Sequence, residues 1–288
     1  MARRSQAEPA AADARAAGTG PAAGGTRGWG ARAASWRRGL TGLAVILLAA
    51  EALGRAGVIP VLPLTSTVLV QAARLAADPR FLADLAATLA AWAAGLAITV
   101  AVAVPLGLVL GSLPGVRTAT RALVDFLRPI PSVALILLVG LLMGPGLAMN
   151  VVLIVYAAVW PVLFNTISGL EGTDPVAIQT LRAFGFGRLA VLRLASLPSA
   201  APFIATGIRL GSSIAIILNI STGFLTGRIS GSGLGAFIAD ASSGAGSVPV
   251  VLAAAVWAGL LGLALNGLLL WAERRLLPWH HSFLGEAA

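Results

Sequence analysis

Stretches of about twenty apolar residues, long enough for a helix to cross the hydrocarbon core of a bilayer, recur along this chain. They lie at 40–59, 85–112, 123–144, 147–170, 199–225 and 249–272. The expected architecture is therefore an all-α membrane protein with six transmembrane helices. The first run is the weakest, because Glu51 and Gly54-Arg55 interrupt it. Pro129 and Pro131 stand near the head of the third, where they fit the first turn or the approach to a helix better than its interior.

Composition agrees. Only 11% of the residues are charged and the mean hydropathy is +0.90, against about a quarter charged in a typical soluble domain. There is no cysteine and no lysine, and the only histidines are His280 and His281. Disulfides, thiolate nucleophiles and Schiff bases are thereby excluded, as is the phosphate-binding lysine of a Walker A loop. No catalytic set and no metal site can be assembled, and no cofactor is expected. Any ATP hydrolysis belongs to another chain.

Six spans would leave both termini on one side of the membrane. Arg55, Arg74, Arg80 and Arg228 then fall on the opposite side, and the other sixteen arginines fall with the termini. By the positive-inside rule both termini and the 171–198 segment are expected in the cytoplasm. Orientation thus accounts for the net charge of +9 without nucleic acid as a partner. Residues 1–38, rich in Ala, Gly and Arg, read as a disordered cytoplasmic tail rather than a signal peptide. The transmembrane domain is expected over 39–280, followed by a short tail at 281–288. Gly107 and Gly111, Gly140 and Gly144, and Gly207 and Gly211 repeat at four-residue spacing, which suits close helix packing within the bundle.

Between the fourth and fifth runs lies "AFGFGRLAVLRLASLP" (183–198). Asp174 can cap free backbone N–H groups and Pro175 suits the first helical position. A short helix over 175–184 would stop at Gly185, and a second would start near Phe186 and end before Pro198. Phe184 and Phe186 then flank a hinge ringed by Arg182, Arg188 and Arg193. An apolar knob with a basic rim fits a groove on a partner protein. It equally fits an interfacial loop whose arginines meet lipid headgroups.

Within the fifth run, Arg209, Ser212, Ser213, Asn219 and Thr226 fall within an arc of about 140° at ~100° per residue. Such a stripe can line a translocation pathway, where an arginine beside hydroxyls suits an anion, or it can hydrogen-bond helices together. Glu51 is the only carboxylate that these boundaries place well inside a run. A secondary carrier or channel is the alternative function, but a coupled carrier needs ionisable groups near midplane.

The spacing of the 179–198 segment resembles the cytoplasmic signature of binding-protein-dependent ABC transporter permeases. That signature is a Glu-Ala-Ala triplet, three residues, Gly, nine residues, then Ile-x-Leu-Pro. Here the glycine is Gly185 and the terminal pair is Leu197-Pro198, while Gln179-Thr180-Leu181 occupies the triplet and Ala195 the isoleucine position. "LPLTSTV" (62–68), "LRPIPSVALILLVGLLMGPG" (127–146), "GIRLG" (207–211), "SGLG" (232–235) and "ERRLLPW" (273–279) resemble, in order, segments of the nitrate/sulfonate/taurine/bicarbonate branch. Thr226 stands where that branch carries an acid.

The resemblance, over about 58–280, implies the ABC importer permease fold in a bacterial cytoplasmic membrane. It also implies a homodimer, two ATPase subunits and an extracytoplasmic solute-binding protein. Residues 174–198 would be the coupling segment, with Gly185 as hinge, Phe184 and Phe186 as anchors, Arg182 and Arg188 at the rim, and Leu197-Pro198 closing it. The implied cargo is a small solute: a sulfonate, nitrate, bicarbonate or a heterocycle.

Overall fold

The computed structural model describes residues 27–57, 63–127, 129–230, 232–243 and 248–278. Among them every regular element is helical. Helix α1 spans Arg27–Arg55, α2 Thr65–Leu75, α3 Pro79–Ser112, α4 Pro114–Leu127, α5 Leu135–Met143 and α6 Leu147–Glu171. They are followed by α7 Pro175–Ala183, α8 Arg188–Val191, a π turn over Leu192–Ser196, α9 Leu197–Ser230, α10 Leu234–Ser242 and α11 Val248–Leu276.

Four helices among the described residues are long and apolar enough to cross a membrane: Pro79–Ser112, Leu147–Glu171, Arg188–Gly227 and Val248–Leu276. Two of the six expected spans are therefore altered. The 123–144 run is not one helix, since α4 stops at Leu127 and α5 starts at Leu135. Pro129 and Pro131 lie in the intervening turn, where their fixed φ and missing N–H do no harm. Tyr156 Oη closes that break by donating to the Leu127 carbonyl at 2.8 Å. The 40–59 run lies largely in α1, whose arginines and Glu51 dilute its apolar character. Residues 27–38, expected in the tail, form the opening turns of that helix. The tail over 1–26 and the C-terminal 281–288 lie outside the described residues, as do His280 and His281.

Helix α6 is the centre of the bundle, packed between α3 and α9. Glycines permit the approach. A Cβ at Gly107 would lie 2.6 Å from Thr166 Cβ, and one at Gly207 would lie 2.9 Å from the Pro161 carbonyl. Gly111 and Gly211 face Leu170 and Ala158 on the same helix, so both pairs serve packing within the bundle. Gly144 differs, being a turn residue at the end of α5.

A second core forms where α2, α3, α10 and α11 meet. Phe81 and Leu234 are fully buried there with Val68, Leu75 and Ala254. Phe237 meets Phe81 edge-on at 5.1 Å. Trp257 adds a tilted contact at 5.9 Å and donates its Nε1–H to the Ala72 carbonyl at 2.9 Å.

Candidate coupling segment and translocation face

The sequence dictates both ends of α7. At its start the Asp174 side chain accepts the Val176 N–H at 2.8 Å, with Pro175 at the first helical position. At its end Gly185 adopts φ +83°, a conformation that costs L-residues about 1–2 kcal/mol and glycine almost nothing. The Gly185 N–H then reaches the Arg182 carbonyl at 2.9 Å and the Phe186 N–H reaches that of Leu181 at 3.1 Å. These two bonds satisfy carbonyls that the helix end would otherwise leave open.

No residue of α7 is buried. Phe184 is 78% exposed and Phe186 44%. Arg182, Arg188 and Arg193 stand exposed around them.

The expectation that a second short helix ends before Pro198 is not met. From Arg188 the chain passes through α8, the π turn and α9 as one rod. In the π turn the Leu197 N–H bonds back to the Leu192 carbonyl, one residue further than in an α-helix. This wider turn accommodates a residue with no N–H of its own just beyond it. Leu197 is half-buried and Pro198 exposed at the head of α9.

The polar stripe on α9 is divided among partners. Ser212, buried, accepts the Trp92 Nε1–H at 3.1 Å. Asn219, also buried, donates to the Thr88 carbonyl at 3.0 Å. Both bonds join α9 to α3. Arg209 pairs with Glu273 of α11 at 3.3 Å, linking the "GIRLG" and "ERRLLPW" stretches. Ser213 is exposed and donates to the Arg209 carbonyl at 3.2 Å, while half-buried Thr226 donates to that of Thr222 at 2.8 Å.

Sequence reasoning missed Asp84. Helix α3 begins earlier than the expected run, at Pro79, because Asp78 caps it by accepting the Arg80 N–H at 2.9 Å. Asp84 is thereby buried, and it accepts the Gly233 N–H at 2.7 Å. One turn on, Thr88 Oγ1 accepts the Leu234 N–H at 2.8 Å and donates to the Asp84 carbonyl at 3.0 Å. Two side chains of α3 thus cap α10. Gly233 enters that helix at φ +102°. Gly235 lies so close to the Ile220 carbonyl and the Phe224 N–H group of α9 that any Cβ would collide with backbone. Arg80 secures the far end by an ion pair with Asp240 at 2.6 Å. The turn into α10 is thus held by a carboxylate from α3. The signal available in sequence was the i, i+4 pair Asp84 and Thr88, in register with buried Phe81, Ala91 and Trp92.

Glu51 is engaged differently, accepting from the Ser66 N–H at 3.0 Å and from Arg55 Nε at 2.9 Å. Among the described residues no group of His, Asp or Glu stands where it could hold a metal ion.

The model of one protein family, described as the binding-protein-dependent transport system inner membrane component, matches residues 103–278. The chain belongs to this family. Among relatives of this permease, a protein of Methanocaldococcus jannaschii provisionally named an ABC transporter permease is 32% identical over 57% of the chain and 60% of its own length. The taurine transport system permease protein TauC of Escherichia coli is 30% identical over 58% and 59%. The carnitine transport permease protein OpuCD of Listeria monocytogenes is 27% identical over 54% and 68%. The permease thus spans about three-fifths of the length of the first two. An inward-facing structure of the MetNI methionine ABC transporter matches with a TM-score of 0.51 at 20% identity. It covers 68% of this chain and 93% of that one, a likeness of fold.

Proposed function

We propose that the chain is the permease subunit of an ATP-driven importer in the cytoplasmic membrane, with its termini in the cytoplasm. It works as a homodimer with two ATPase subunits and receives its solute from an external binding protein. The observation that carries this reading is the exposed Phe184–Phe186 knob on a helix that buries nothing. Aromatic side chains of this exposure, ringed by Arg182 and Arg188, have the composition of interface anchors awaiting a groove. The knob leads through α8 and the π turn directly into α9, so a push on it is transmitted to the bundle. The chemistry of ATP hydrolysis lies in the partner.

The stripe on α9 divides by role. Ser212 and Asn219 fasten α9 to α3. Lining of the pathway rests on Ser213, with half-buried Arg209 and Thr226 on the same arc. The cargo class is a small solute of the nitrate, sulfonate, taurine, bicarbonate or heterocycle kind, as the taurine permease among the relatives and a nitrate import permease of Leptolyngbya laminosa suggest. Carnitine and choline permeases among the relatives keep quaternary amines in view.

The test is co-purification of the tagged chain with the ATPase and binding-protein genes beside it. A nucleotide-binding chain in stoichiometric amount, lost on Gly185→Asp while the permease stays in the membrane, is the expected result. Solute uptake by an ATPase-free preparation would overturn the reading in favour of a secondary carrier or channel.

A further inference from the structure

Behind the docking knob is a cavity of about 700 Å³ between the last turns of α3, the end of α6, and α7–α8. Its walls are mostly aliphatic, including Leu108, Val109 and Leu113 of α3 and Leu189 of α8. The polar lining is Arg182, Arg188, Ser112 and Ser196, with no carboxylate. Neither arginine has an ion-pair partner among the described residues. Two exposed guanidiniums on one cavity with no carboxylate beside them favour an anion. A free small anion, however, has no use for a wall of leucines. The combination suits an amphiphile with an anionic head and an apolar tail.

Depth points the same way. Helix α3 has 34 residues, a rise of about 51 Å against a hydrocarbon core of about 30 Å. Centred on such a core, the helix would run about 10 Å past it at each end, which would bring its final turns to the level where acyl chains meet headgroups. Val109, Leu113 and Leu189 are each more than two-fifths exposed, which leaves an apolar flank for a chain to follow.

We propose that this cavity binds one anionic phospholipid, its phosphate held by Arg182 and Arg188 and an acyl chain laid along α3. The proposal deepens the docking reading, on which it rests only in that Arg182 and Arg188 belong to the rim of that contact. It is tested without the ATPase, so the two fail separately.

The full-length protein is purified in detergent and titrated with dioleoyl phosphatidylglycerol or dioleoyl phosphatidylcholine, and bound lipid is counted by native mass spectrometry. The expected result is a preference of about tenfold for phosphatidylglycerol, abolished by Arg182→Gln with Arg188→Gln. Ser112→Trp keeps both charges but fills the cavity, and should abolish it too. Equal retention of the two lipids, or a preference that survives Ser112→Trp, overturns the proposal. So does displacement of phosphatidylglycerol by excess inorganic phosphate, which would mark a small-anion site. Crosslinking from Ser112→Cys to the ATPase in the co-expressed complex, with no lipid retained, would make the occupant a partner segment and overturn it as well.

Discussion

Two short helices, α7 and α10, flank the continuous rod from α8 to α9, each through a glycine with positive φ, and they have opposite fates. At Gly233 the chain turns into α10, which is sealed: Leu234 is fully buried, Asp84 and Thr88 cap its first N–H groups, and Gly235 presses on α9. At Gly185 the chain leaves α7, which is open: the turn is closed only by its own backbone bonds, and a Cβ there would meet nothing within 4 Å. The same backbone device thus gives a fixed part where the surroundings fill in and a presented part where they do not. What distinguishes them is the neighbouring side chains, not the turn.

Leu234→Ala should break the sealed end most severely, lowering stability by about 2–5 kcal/mol, read as a drop in the unfolding midpoint in detergent. Asp84→Ala strands the half-buried Gly233 N–H and should cost about 1–3 kcal/mol on the same assay. The two glycines sharpen the contrast. Gly185→Ala should cost about 1 kcal/mol, and Gly233→Ala more, because its φ of +102° with ψ of 161° lies in a region open essentially to glycine alone. Equal losses would show that Gly233 is held in no more demanding a conformation than Gly185. Phe184→Ala should shift stability by less than about 0.5 kcal/mol. In a pull-down it should nevertheless weaken ATPase association by at least about tenfold. A stability loss comparable to that of Leu234→Ala would mean that Phe184 belongs to the bundle.

The open end was legible in sequence, because local chemistry decides it: Asp174, Pro175 and Gly185 fix both ends of α7 with little help from tertiary contacts. The glycine pairs on α3 and α9 were legible for the same reason, since small residues at four-residue spacing mark a helix face. The sealed end was not. Asp84 sits one residue outside the apolar run that defines its span, and its partner, Gly233, is 149 residues away in sequence. Hydropathy alone also ran 123–144 together, although Pro129 and Pro131 break it. It gave no warning that a π turn would carry a helix past Pro198. The pairing of Arg209 with Glu273 links α9 to α11, and nothing in either segment alone names the other.

The unbroken passage from α8 into α9 has a mechanical consequence. The 40 residues from Arg188 to Gly227 form a rod of about 60 Å, so a tilt of ~5° at its near end swings the far end by about 5 Å. A hydrogen bond tolerates only a few tenths of an ångström of stretch. The Asn219 bond to Thr88 and the seat of Gly235 on α9 therefore have two options under load: travel with the rod as one body with α3, or let go. If docking at Phe184 and Phe186 supplies that load, as proposed above, leverage makes the choice discrete and places it at the end of the rod away from the knob.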